Sequence, residues 1–92
     1  MSLEKELQKK VINFCVKNDI LAVKVDSTSA RGWPDLTVIL PNGVVLFIEL
    51  KTPAGVVSKL QQHMHRKIQK QKGNVYVIRS LEDFQTLISQ FT

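Results

Sequence analysis

Asp35, Glu49 and Lys51 are the residues whose types and spacing best suit chemistry. Asp35 stands at the start of one short apolar run, Gly32-Trp33-Pro34-Asp35-Leu36-Thr37-Val38-Ile39-Leu40. Glu49 and Lys51 end a second, Val44-Val45-Leu46-Phe47-Ile48-Glu49-Leu50-Lys51. Side chains alternate faces along a strand, so Glu49 and Lys51 share a face while Leu50 points away. Charges at the margin of an apolar strand are costly unless something pairs with them. Two acids and a lysine converging beside a core suit a divalent metal and a phosphate. Carboxylates hold Mg²⁺ or Mn²⁺, hard cations that prefer oxygen ligands. A nearby lysine orients or deprotonates water and stabilises a charged transition state. These are the requirements of phosphodiester hydrolysis. The plainer reading is a cross-strand ion cluster at a sheet edge. Three such residues beside Pro34 and a turn-rich loop favour a site.

The elements around these residues must bring them together. Asn42-Gly43 between the runs favours a tight hairpin turn and antiparallel neighbours. Residues whose numbers sum to about 85 then face each other, which sets Asp35 near Leu50 and beside Glu49 and Lys51. Upstream, Leu3, Leu7, Val11 and Phe14 recur at helical spacing and predict an amphipathic helix from about Ser2 to Lys17. The β-branched stretch Ile20 to Val25 reads as a strand, followed by a polar loop from Asp26 to Gly32. Downstream, Ser58 with Gln61 forms a capping box for a second helix whose buried stripe is Leu60, Met64 and Ile68, stopped by Gly73. Val75-Tyr76-Val77-Ile78 is a fourth strand. Ser80 with Asp83 caps a last helix with the stripe Phe84, Leu87, Ile88 and Phe91. The order αβββαβα, with a strand-helix-strand crossover near its end, implies a mixed sheet flanked by helices, an α/β fold.

Ninety-two residues make one small domain, 1–92. The formal net charge of +5 suits a polyanionic partner. Cys15 is the sole cysteine, which excludes a disulfide framework and a zinc cluster and fits a reducing, intracellular, cytoplasmic setting. No apolar run is long enough to span a bilayer, and the first residues lack the apolar core of a signal peptide.

The motif Pro34-Asp35 followed by Glu49-Leu50-Lys51 resembles the signature of the PD-(D/E)xK nucleases, whose fold is restriction-endonuclease-like. Gly32-Trp33-Pro34-Asp35-Leu36, Phe47-Ile48-Glu49-Leu50-Lys51-Thr52, Gly55 and Ser58-Lys59-Leu60-Gln61 together narrow the resemblance to the virus-type replication-repair nuclease (VRR-NUC) family. The similarity runs from the first helix to the last strand. It implies a metal-dependent endonuclease acting on DNA, with Asp35 and Glu49 as metal-binding acids and Lys51 as the catalytic lysine. The Leu50 carbonyl would be a further ligand, and Gln61 matches the family's helix glutamine as well as the capping box. The family also carries a first-helix glutamate three residues before an apolar position. Glu4 fits, and it falls between Val11 and Cys15 on the helical wheel, whereas its competitor Glu6 lies at the edge of the stripe. Acid enrichment in a first helical turn would explain either residue without a metal. Stand-alone members resemble Holliday-junction resolvases, which act as homodimers, and such a compact form suits a phage or prokaryotic host.

Lys24, Ser27, Lys59, Arg66, Lys67 and Lys70, with Lys9 and Lys10, are candidate phosphate contacts, each of them equally readable as part of a solvated basic face. His63 and His65 lack metal-ligand spacing and read as surface residues. Trp33 reads as packing under its loop rather than stacking on a base, and Tyr76 as packing on the fourth strand. The chain is too short for extensive base readout, which favours branched DNA recognised by shape. Two other functions stay open: a non-catalytic module that docks DNA or a replication protein, and a sequence-specific enzyme that cuts linear duplex at one position.

Overall fold

In the computed structural model, which describes residues 2–26 and 29–92, three helices flank a four-stranded mixed sheet. The elements are α1 (Leu3–Lys17), β1 (Leu21–Lys24), β2 (Leu36–Ile39), β3 (Val45–Leu50), α2 (Lys59–Lys70), β4 (Asn74–Ile78) and α3 (Leu81–Phe91). Strand order is β1-β2-β3-β4, antiparallel from β1 to β3 and parallel between β3 and β4. Sequence order and strand directions follow the expectation from periodicity.

The sheet's two faces are covered unequally. Leu36 and Val38 on β2, with Leu46, Ile48 and Leu50 on β3, pack with Leu7, Val11 and Cys15 of α1 and with Phe84, Leu87 and Ile88 of α3. On the opposite face α2 packs over β4, burying Val75 and Ile68, while Leu21 and Val23 of β1 stay exposed. Glu49 and Phe47 alternate with the core residues of β3 and therefore point to the α2 side.

The hairpin between β2 and β3 pairs Leu36 with Ile48 and Thr37 with Phe47, one residue out of register from the sequence reading. The Leu40 carbonyl accepts from Gly43 N (2.8 Å) and Leu40 N donates to the Val44 carbonyl (2.9 Å). Only Gly43 in this turn has positive φ (+88°). The loop is thus a turn of three residues closed by a left-handed glycine, which accounts for the shift in register.

Three local expectations change. Leu3 is exposed, so the buried stripe of α1 begins at Leu7. Leu60 is 45% exposed, and the inward side of α2 is formed by Gln61, Met64, His65 and Ile68. Helix α2 ends with Lys72, not Gly73, in the left-handed region (φ 67°). Gly73 serves close approach instead: a Cβ there would stand 2.4 Å from Ile68 Cγ2.

Candidate active site

Asp35 precedes β2 and Glu49 lies near the end of β3, so the hairpin register sets them side by side across two central strands. The Leu50 amide donates to Asp35 Oδ2 at 2.8 Å, which holds that carboxylate against the peptide following Glu49. Glu49 is almost wholly buried (1% exposed). Gln61 Nε2 donates to its Oε2 at 3.2 Å, and Lys51 Nζ lies 3.7 Å from the same oxygen. His65 Nε2 meets the other oxygen, Oε1, at 3.4 Å. Strand alternation delivers Glu49 and Lys51, while α2 delivers Gln61 and His65 one turn apart on one helical side.

Electrostatics mark Glu49 as the unusual group. Its pKa is pushed up to about 8, first by burial, then by the hydrogen bond that its protonated carboxyl donates to Asp35 and by the charge of that group. Lys51 opposes the shift and the charge of Glu4 adds to it. Burial also lowers the pKa of His65, whose neutral ring can either donate to Glu49 or accept from it at Nε2, according to tautomer. A buried carboxyl facing a second acid is energetically improved by a cation, which offsets the repulsion and favours the charged form of Glu49.

Gln61 both completes the capping box and reaches Glu49. Its Oε1 accepts from Ser58 N at 2.9 Å and its backbone amide donates to Ser58 Oγ at 3.1 Å, completing the capping box. The remaining amide hydrogens are free to reach Glu49. Gly32 explains how the loop before Asp35 lies so close: its φ is +81° and an added Cβ would be 2.7 Å from the Leu60 carbonyl.

Glu4 is exposed on the first turn of α1 with its field reaching Glu49, whereas Glu6 lines a different cleft with Lys10 and Arg79. Among the described residues, no three of His, Cys, Asp and Glu form a side-chain metal cage. Two carboxylates and a peptide carbonyl still match the needs of Mg²⁺, which keeps several waters and uses one or two carboxylates. Lys24 pairs with Asp26 (3.3 Å) and shares a cleft with Lys5 and Lys9. Lys59, Arg66, Lys67 and Lys70 are exposed on α2, away from any ion pair among the described residues. Ser27 lies outside the described residues.

Two residues escaped the sequence reading. His65 is buried at the site, not on the surface; His63 is exposed as expected. The signal was its spacing of four from Gln61, which puts both on one side of α2. Arg79 Nη1 donates to the carbonyls of Thr52 (2.8 Å) and Gly55 (2.6 Å) and more loosely to Pro53 (3.4 Å). It thereby ties down the loop that carries the chain from Lys51 to α2. Arg79→Met keeps the side-chain stem but strands those carbonyls. It should cost about 1.5–3 kcal/mol and speed amide exchange across 52–58, read by hydrogen-exchange mass spectrometry.

A mixed sheet with an acid pair and lysine at the hairpin's open end defines a restriction-endonuclease-like fold. Comparison with known proteins narrows this: the VRR-NUC domain model matches residues 2–82, and the chain belongs to that family. A solved VRR_NUC domain is 29% identical, with a TM-score of 0.88 over the whole of both chains. A second structure, a VRR_NUC domain protein, is 18% identical and shares the fold, with a TM-score of 0.81 over 98% of this chain and 88% of that one. A protein of Acyrthosiphon pisum secondary endosymbiont phage 1, "Putative nuclease p44", is 32% identical over 65 residues, 71% of this chain and 70% of its own length.

Proposed function

We propose that this nuclease-family domain is an endonuclease that hydrolyses DNA phosphodiesters with Mg²⁺ or Mn²⁺ and selects branched DNA such as four-way junctions. The observation that carries the reading is Glu49, a buried carboxyl with its pKa pushed up to about 8, facing Asp35 and flanked by Lys51. Family membership and the nuclease name of the phage relative support the same class of reaction.

Asp35, Glu49 and the Leu50 carbonyl would hold the cation, with the charge of Glu4 adding to the negative field there. When bound, it supplies Lewis acidity and a water of lowered pKa. Gln61 and His65 hold one Glu49 oxygen each, so the carboxylate keeps its orientation as charge develops. Lys51 Nζ, on the same side of the sheet, positions the attacking water and offsets negative charge on the phosphate. The exposed lysines of α2 and the group Lys5, Lys9 and Lys24 supply sequence-independent phosphate contacts. A homodimer covering Leu21 and Val23 would provide two sites for paired cuts. Among the described residues, no helix is long and apolar enough to cross a membrane.

The test is cleavage of a labelled four-way junction beside linear, single-stranded and flapped DNA, with Mg²⁺, Mn²⁺ or EDTA. Paired symmetric cuts that vanish in EDTA and in Lys51→Ala are the expected result. A single cut position on linear duplex would assign a sequence-specific enzyme instead. Salt-sensitive binding without any cleavage would assign a DNA-binding module.

A further inference from the structure

A hollow of about 390 Å³ opens on the α2 side of the sheet, between Trp33, Phe47, Met64 and Ile68, with Lys67 and Gln71 at its rim. Its position is set by the site's own elements. Trp33 is two residues before Asp35, and Phe47 is two residues before Glu49 on the same side of β3. Phe47 and Glu49 are two strand residues apart, about 7 Å, so the hollow begins beside Glu49. Trp33 and Phe47 meet edge to face, with centroids 5.6 Å apart and planes at 79°, and Trp33 is only half-buried.

The chemistry of the lining points to one kind of occupant. The floor is aromatic and aliphatic, the charged residue is a lysine, and no acid lines it. Arg66 and Lys70 extend the positive charge along the exposed side of α2. A ligand with an apolar π-face and an attached anion satisfies both parts, and a nucleotide is that ligand.

We propose that this hollow receives one unstacked nucleobase of the strand being cut, with Lys67 meeting an adjoining phosphate. The proposal rests on the DNA nuclease reading and deepens it. Bases at a branch point are already partly unstacked, so inserting one there costs less than extracting it from continuous duplex. The hollow would then select branched DNA without reading sequence, because every base has a π-face.

Trp33 is the sole tryptophan, so its emission reports the hollow directly. The experiment titrates the protein, in EDTA to prevent cutting, with two four-way junctions that differ only in abasic residues at the crossover nucleotides. The intact junction should quench Trp33 and bind about fivefold or more tightly than its abasic partner. Met64→Phe, which narrows the hollow from its α2 side, should reduce that difference while salt-dependent binding and the melting temperature persist. Equal quenching by both junctions, or binding without quenching, would overturn the base pocket and leave the nuclease reading standing. Failure of both junctions to bind, in EDTA and equally with Ca²⁺ present, would remove the branched-DNA reading and the pocket with it. Emission that changes with protein concentration alone, alongside a dimer in sedimentation, would assign the hollow to a second copy of the chain.

Discussion

Glu49→Gln should abolish cleavage and, in metal-free buffer at pH 8.5, raise the melting temperature by about 5 °C or more. Both effects come from the same burial. The folded protein holds the Glu49 carboxyl at a pKa of about 8 against an ordinary value of 4.5. An acid with a raised folded pKa gives its full stability below the unfolded value, and loses it as pH climbs from about 4.5 to about 8. Above that window the parent carries a buried charge beside Asp35, a penalty on the order of a few kcal/mol. Glutamine has the same shape without the charge. Its carbonyl can accept from Gln61 and its amide can donate to Asp35. The two proteins should therefore converge near pH 4.5 and diverge as pH rises. Mn²⁺ should raise the melting temperature of the parent far more than that of the variant. Scanning calorimetry from pH 4.5 to 8.5, in EDTA and in Mn²⁺, measures all of this. Equal pH slopes for the two proteins would show that Glu49 is ionised without penalty and would remove the electrostatic basis for a cation site.

Gly32→Ala should lower stability by about 2–4 kcal/mol and reduce cleavage at least tenfold in the molecules that remain folded. The left-handed φ of +81° is one part of the cost. The other is the Leu60 carbonyl, 2.7 Å from the new Cβ, with Gln61 N at 3.1 Å. These are backbone atoms of the first turn of α2, so relief requires the helix start to move. Gln61 moves with it and releases Glu49. Gly43→Ala is the matched control, since its φ is +88° and nothing lies within 4 Å of its added Cβ. It should cost about 1 kcal/mol, the torsional part alone, and leave cleavage intact. Melting curves and single-turnover cleavage of both variants, below their melting temperatures, separate the two contributions. Equal losses in the two would show that the contact with α2 is slack.

The acid pair was legible because strand alternation and a hairpin turn fix relative position over short chain distances. The fold class followed from the same periodicities and from the turn chemistry. What the sequence concealed came from packing between elements distant in sequence. His65 reads as a surface residue because the pair His63 and His65 lacks metal-ligand spacing, whereas its place four residues after Gln61 sets it on the inward side of α2. Leu60 matches a stripe by hydropathy, but the inward side of α2 carries Gln61 against Glu49, which leaves Leu60 outward. Lys72 takes the left-handed position because Gly73 is needed where Ile68 leaves no room for a Cβ. Arg79 carried no local signal at all, since its three carbonyl partners lie 24 to 27 residues away.

Cys15 is fully enclosed between α1 and the sheet, and burial pushes its thiol up to about 11. At neutral pH almost none of it is the reactive thiolate, and no reagent can reach it in the folded molecule. Alkylation of this chain therefore requires the core to open. The rate at which an added thiol reagent consumes Cys15 counts opening events directly, with no label and no substitution. The protein thus carries its own clock for core opening, and ligands that hold the fold closed will slow that clock whether or not they are cut.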